Sequence, residues 1–95
     1  MTLDTPNTAP GTAAEIPDEL IIVLRKPVML GTETYTQLVL REPTAAEWEQ
    51  WDGLSGVVCD QKAVAVVSGV PLPAVRMIGA RDLVAGARYI ARFLD

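Results

Sequence analysis

Ninety-five residues carry one cysteine, no histidine, and twelve acids against eight bases, for a net charge of −4. This length supports one small domain at most, and the lone cysteine rules out an intrachain disulfide and a multi-cysteine zinc site. The missing histidine removes the commonest general base, and an acidic whole is the wrong balance for a nucleic-acid binder, whose affinity rests on neutralising phosphates.

The charge is also unevenly spread. Residues 1–60 hold ten acids against three bases, a net of −7, while residues 61–95 hold five bases against two acids, a net of +3. That polarity suits a protein partner or self-association.

The first seventeen residues, MTLDTPNTAPGTAAEIP, contain three prolines, four threonines, one glycine and two large aliphatics. So little apolar surface cannot offset the entropy of ordering, and a disordered N-terminal arm is expected. It has neither the basic start nor the apolar run of a secretory signal. No later run reaches the roughly 18 apolar residues of a membrane span, so a cytoplasmic chain without a membrane partner is expected.

Two β-like runs follow, ELIIVLRKPVML and TYTQLVLR, joined through Gly31-Thr32-Glu33. They predict a hairpin over residues 19–41. Period two assigns Leu20, Ile22 and Leu24, with Thr36, Leu38 and Leu40, to the inner face. Ile21 and Val23 fall outside with Tyr35, Gln37, Val39 and Arg41, an apolar complement for a surface. Pro27 cannot donate to a ladder, so the first strand is expected to be an edge or to bulge near it. A lone hairpin is marginal in water and must pack on helices or on another copy.

At Arg41-Glu42-Pro43-Thr44 the period changes. Pro43 biases Glu42 toward extended geometry and offers no donor. Thr44 with Glu47 makes a capping box, which predicts a helix over about 44–52. Trp48 and Trp51 share a face of it at i, i+3. Either both indoles cover the hairpin, or one anchors a partner, tryptophan being enriched at binding hot spots.

After Gly53 and Gly56, residues 57–68 read as a helix with Gly69 just past its end and a stripe of Cys59, Ala63, Val66 and Val70. Cys59 is expected to be a small buried hydrophobe. Pro73 is placed to start a short helix over 73–78. A last helix over 80–94 carries an apolar stripe of Leu83, Val84, Ala87, Ile90, Ala91 and Leu94. Arg81, Arg88 and Arg92 line another face, either solvated or a docking surface for an acidic partner. Gly86 costs about 1 kcal/mol against alanine unless another element packs closely there.

Nothing in the chain forms a phosphate-cradling loop, a metal-ligand cluster or a catalytic triad. Glu47 and Glu49 point apart at i, i+2, and prolines occupy the would-be turn of a helix-turn-helix at 68–73. The fold class is α+β, an N-terminal β-hairpin on a small bundle of three or four helices behind a disordered arm. No catalytic residue, cofactor or metal is expected.

The order of these signals resembles the small tail assembly chaperones of long-tailed phages and prophages. That family shows an apolar strand running into K-P, here Leu24-Arg25-Lys26-Pro27, then a Gly-containing turn at Gly31. Its second strand ends L-x-L-R-E-P-T, here Leu38 to Thr44. Downstream, residues 68–75, SGVPLPAV, are similar to its T-G-L-P-x-x-V, and Ala80-Arg81-Asp82-Leu83 opens a last helix closing on Phe93-Leu94. The similarity spans about residues 19–95. Val70 stands where leucine is usual, Gly79 replaces a polar residue, and residues 51–57 follow no firm pattern.

The resemblance implies a non-enzymatic chaperone acting in the host cytoplasm and absent from the mature virion. It implies a helical tape-measure protein as partner, kept soluble until the tail tube forms, with tail tube protein and a frameshift-extended form of the chain as further partners. A homo-oligomer is compatible with it. Ile21, Val23, Val39, Trp48, Trp51, Arg81, Arg88 and Arg92 are the candidate partner-binding residues, and the competing role is a permanent component of the tail or its connector.

Overall fold

The computed structural model describes residues 15–95, so residues 1–14 of the arm expected over 1–17 lie outside the described residues. Strand β1, Glu19–Leu30, pairs antiparallel with β2, Glu33–Arg41, in a two-stranded ribbon. Gly31 turns the chain at φ +62°, a left-handed conformation that costs other residues roughly 1–2 kcal/mol. Leu20 faces Leu40 and Ile22 faces Leu38 across the ladder. Leu24, Leu38 and Leu40 are buried as the alternation predicts.

The ladder breaks where Pro27 predicts. Val23 pairs with Gln37 and Val28 with Tyr35, so residues 24–27 of β1 stand opposite Thr36 alone. Three extra residues are an odd number, and on β2 the facing therefore inverts across the break. Tyr35, expected outside, is half-buried against the core, and Thr36, expected inside, is exposed.

The strand-to-helix corner is built by local hydrogen bonds. Thr44 is the extended N-cap of α1, Ala45–Asp52, and its hydroxyl accepts the Glu47 N–H at 3.1 Å. The Glu47 carboxylate accepts the Thr44 N–H in return at 2.9 Å, completing the box. Two further bonds of 2.8 Å reach it from the Arg41 guanidinium, a bidentate fork that joins the last strand residue to the first helical turn. The fork first, and the Thr44 N–H second, hold the Glu47 pKa at about 2. Pro43 is buried within the corner.

Helix α2, Gly56–Ser68, is the central element, with α1, α3 (Leu72–Val75), α4 (Ala80–Arg92) and β2 all packed on it. The stripe expected on α2 describes one side only. Val64, Ala65 and Val67 are buried as well as Ala63, because neighbours close around the helix's second half. Gly69 ends it at φ +77°, donating its N–H to the Ala65 carbonyl at 2.9 Å. Helix α3 is a single turn that starts one residue before Pro73, and α4 stops at Arg92 rather than 94.

Helix α4 is rotated from its expected setting. Leu83 and Ile90 are buried, but Val84 and Ala91 are exposed, and Asp82, Gly86 and Tyr89 take the inner face instead. Gly86 explains the rotation. A Cβ there would lie 3.1 Å from Leu40 Cδ1 and 3.3 Å from Val64 Cγ2, so the bare backbone turns inward where α4 meets both β2 and α2. One turn earlier, Asp82 Oδ2 accepts the Arg25 N–H at 3.0 Å, satisfying a backbone donor that the broken ladder leaves unpaired. Toward the other end, the buried Tyr89 hydroxyl donates to the Pro17 carbonyl, and Arg92 Nη2 donates to the Glu15 carbonyl at 2.9 Å. Ile16 packs on the core between them, so the part of the expected arm that is described is fastened to α4.

Two stability measurements test this architecture. In urea unfolding, Gly86→Ala should stay within about 1 kcal/mol of the parent, helix propensity offsetting the crowding, whereas Gly86→Leu should lose about 1–3 kcal/mol to overpacking. Glu47 has a depressed folded-state pKa, so its contribution is complete above the unfolded value of about 4.3 and disappears as pH falls toward about 2. Acid titration of Glu47→Gln should show a shallower loss of stability across that window than the parent chain.

Candidate partner-binding surface

The ribbon's inner face is taken up by the core, and its outer face is not covered. Ile21 and Val39 are direct cross-strand partners, with Val23 on the same face two residues along β1. They are 52%, 37% and 73% exposed respectively. Scattered exposed aliphatics are ordinary, but three neighbours on one face of a ribbon, with Gln37 opposite Val23, make an apolar strip. Of the eight candidate residues, these three are brought together.

The two tryptophans part company. Trp51 is 3% exposed and belongs to the core, whereas Trp48 is 41% exposed. The expectation that both indoles cover the hairpin is corrected: α1 packs principally on α2, so the inward-turned indole meets that helix and the other is left outside. Trp51 is likewise withdrawn as a surface anchor, since a buried indole has nothing to offer a partner. Its carbonyl accepts the Cys59 thiol at 3.6 Å. Burial, followed by the charges of Asp60 and Asp52, pushes that thiol's pKa up, which disfavours the thiolate, and the side chain is half-buried rather than fully buried as expected.

Arg81, Arg88 and Arg92 are all exposed. Arg92 serves the fold through its bond to Glu15. Arg81 and Arg88 flank the exposed Val84 and form no ion pair among the described residues. Leu54, Val57, Val58, Met29 and Met77 are also exposed and were not anticipated. Met29 lies on the odd-numbered outer face of β1 with Ile21 and Val23, whereas helical periodicity gives no sign of Val57 and Val58, which sit in the first turn of α2, ahead of the stretch that its neighbours enclose. Among the described residues no three His, Cys, Asp or Glu side chains could hold a metal, and no helix is long and apolar enough to cross a membrane.

Among the described residues the surface thus offers apolar contact edged by charge, and no arranged set of reacting groups. A family model described as "Phage tail assembly chaperone proteins, E, or 41 or 14" matches residues 21–95. Among curated proteins and among solved structures, nothing matches the chain.

Truncation separates the two indoles. Trp51→Ala should cost about 3–5 kcal/mol in denaturant unfolding, the range for emptying a buried aromatic site, while Trp48→Ala should cost about 1 kcal/mol or less. Acrylamide quenching of the parent's fluorescence should reach one indole and spare the other.

Proposed function

The chain belongs to the phage tail assembly chaperone family, and from that premise we propose that it binds the apolar helices of the tape-measure protein. It keeps them soluble in the host cytoplasm and helps recruit tail tube subunits while the tail is assembled. The role is non-catalytic, and the chain leaves before the virion is mature.

The outer strip of Ile21, Val23 and Val39 carries this reading, since it is apolar, exposed and set on a paired stretch of the ribbon. A partner helix with apolar residues at i, i+3, i+4 and i+7 can lay that stripe along the strip, exchanging two wetted surfaces for one contact. Each contact is small, so its strength is modest at about 25 cal/mol per Å² of apolar area removed from water. Many copies along one extended partner would hold it by multivalency, and each would still be weakly enough bound to be displaced. The chain's net charge of −4 opposes clustering of the loaded complex.

Co-expression with a tape-measure fragment tests the proposal. The parent chain should carry the fragment into the soluble fraction and co-purify with it. A folded Ile21→Ser, Val23→Ser, Val39→Ser variant should leave most of it insoluble. Equal insolubility with and without the parent chain would count against the reading, and so would finding the chain at stoichiometric levels in purified particles.

A further inference from the structure

Helix α2 and the single turn of α3 leave a groove between them that neither strand of the ribbon borders. Val58, Gln61 and Lys62 line it from one face of α2, at i, i+3 and i+4. Leu72 and Arg76 line it from α3 and its C-cap, one turn apart, the Arg76 N–H donating to the Leu72 carbonyl at 3.0 Å. Leu54, in the link from α1, completes the wall. Leu54 and Val58 are exposed and Leu72 is half-buried against the core, so the floor is aliphatic and wetted. Each helix therefore sets a cation four positions after an aliphatic residue of its own. Lys62 is half-buried, its stem covering apolar surface while the ammonium keeps to water. Neither Lys62 nor Arg76 forms an ion pair among the described residues.

We propose that this groove docks an acidic amphipathic segment of another protein. An aliphatic side chain of that segment seats against Leu54, Val58 and Leu72, and an aspartate or glutamate about one turn away meets the Lys62 ammonium and the Arg76 guanidinium. The Gln61 amide offers the same carboxylate a further donor. Charge complementarity selects this occupant. The rim is positive, and it lies in the part of the chain, residues 61–95, that is net +3 although the whole is −4. A neutral or basic segment would desolvate these cations without a counter-charge, which opposes the aliphatic contact. Two cations with no stacking ring suit nucleic acid poorly, since that affinity grows with the number of phosphates neutralised. The contact is small, so it is weak and salt-sensitive. The groove is separate from the outer strip of the ribbon, and the inference does not rest on the chaperone reading. It adds a second attachment point with a preference for charge that the strip lacks.

Fluorescence anisotropy on the full chain, with labelled helical peptides as probes, is the test. One peptide of about fifteen residues, alanine-rich, carries leucines at i and i+4 with glutamates at i+3 and i+7; its counterpart has lysine for each glutamate. The parent should bind the glutamate peptide about tenfold more tightly than the lysine peptide, and added salt should narrow that gap. Lys62→Glu with Arg76→Glu should weaken the glutamate peptide about a hundredfold and turn the preference toward lysine. Val58→Ser should weaken both peptides. The Ile21→Ser, Val23→Ser, Val39→Ser chain should bind the glutamate peptide as the parent does, so failure here and failure of the chaperone reading are told apart. Circular dichroism on each variant checks folding, which surface changes on this scale leave intact. Equal affinity of the parent for the two peptides, or for neither, overturns the proposal, as does a folded charge-reversed chain that keeps the parent's preference. Self-association of the parent that the same two reversals abolish in sedimentation velocity would seat a copy of this chain in the groove and overturn the foreign partner.

Discussion

The absent side chain at position 86 governs how the molecule closes. With Leu40 Cδ1 3.1 Å and Val64 Cγ2 3.3 Å from where a Cβ would stand, α4 lies close to β2 and α2 by presenting backbone, and a side chain larger than a methyl would not fit without displacing them. That choice of face fixes the rest of the helix. Asp82, one turn before, comes to the broken ladder and takes the Arg25 N–H; Tyr89, nearly one turn after, comes to the Pro17 carbonyl. Leu83 and Ile90 enter the core on the same side, and Val84 and Ala91 are turned out. A glycine that weakens an isolated helix by about 1 kcal/mol here sets the helix's rotation.

Fold and surface are coupled through the ribbon. Two strands do not stand alone in water, and this pair is held because Leu24, Leu38 and Leu40 reach a core that the helices supply. The alternation that sends those leucines inward sends Ile21, Val23 and Val39 outward, so the strip is presented by a support that cannot twist it away. An apolar strip on a mobile loop would bury itself against its own domain; on a ribbon whose other side is occupied it stays available.

Local chemistry was legible in the sequence and tertiary compensation was not. The hairpin, the irregularity at Pro27, the capping box at Thr44 and Glu47 and the stop at Gly69 all follow from a few neighbouring residues, and all are present. So was the strip, because period two needs no knowledge of the rest of the chain. The misplacements lie where a distant element decides. Tyr35 and Thr36 exchanged sides because the break in β1 holds an odd excess of residues, a number that composition does not specify. Trp51 went inside without Trp48 because α1 meets α2 rather than the ribbon. Asp82 is buried on the inner face of α4 because the Arg25 N–H, left without a ladder partner, takes it as acceptor, and that donor lies 57 residues away in the sequence.

The fastening of Glu15–Pro17 to Tyr89 and Arg92 has a topological consequence. Residues 15–17 run alongside the last turn of α4, so the first and last described segments lie at a single pole. They are therefore tied at that turn, and loosening either one loosens the other.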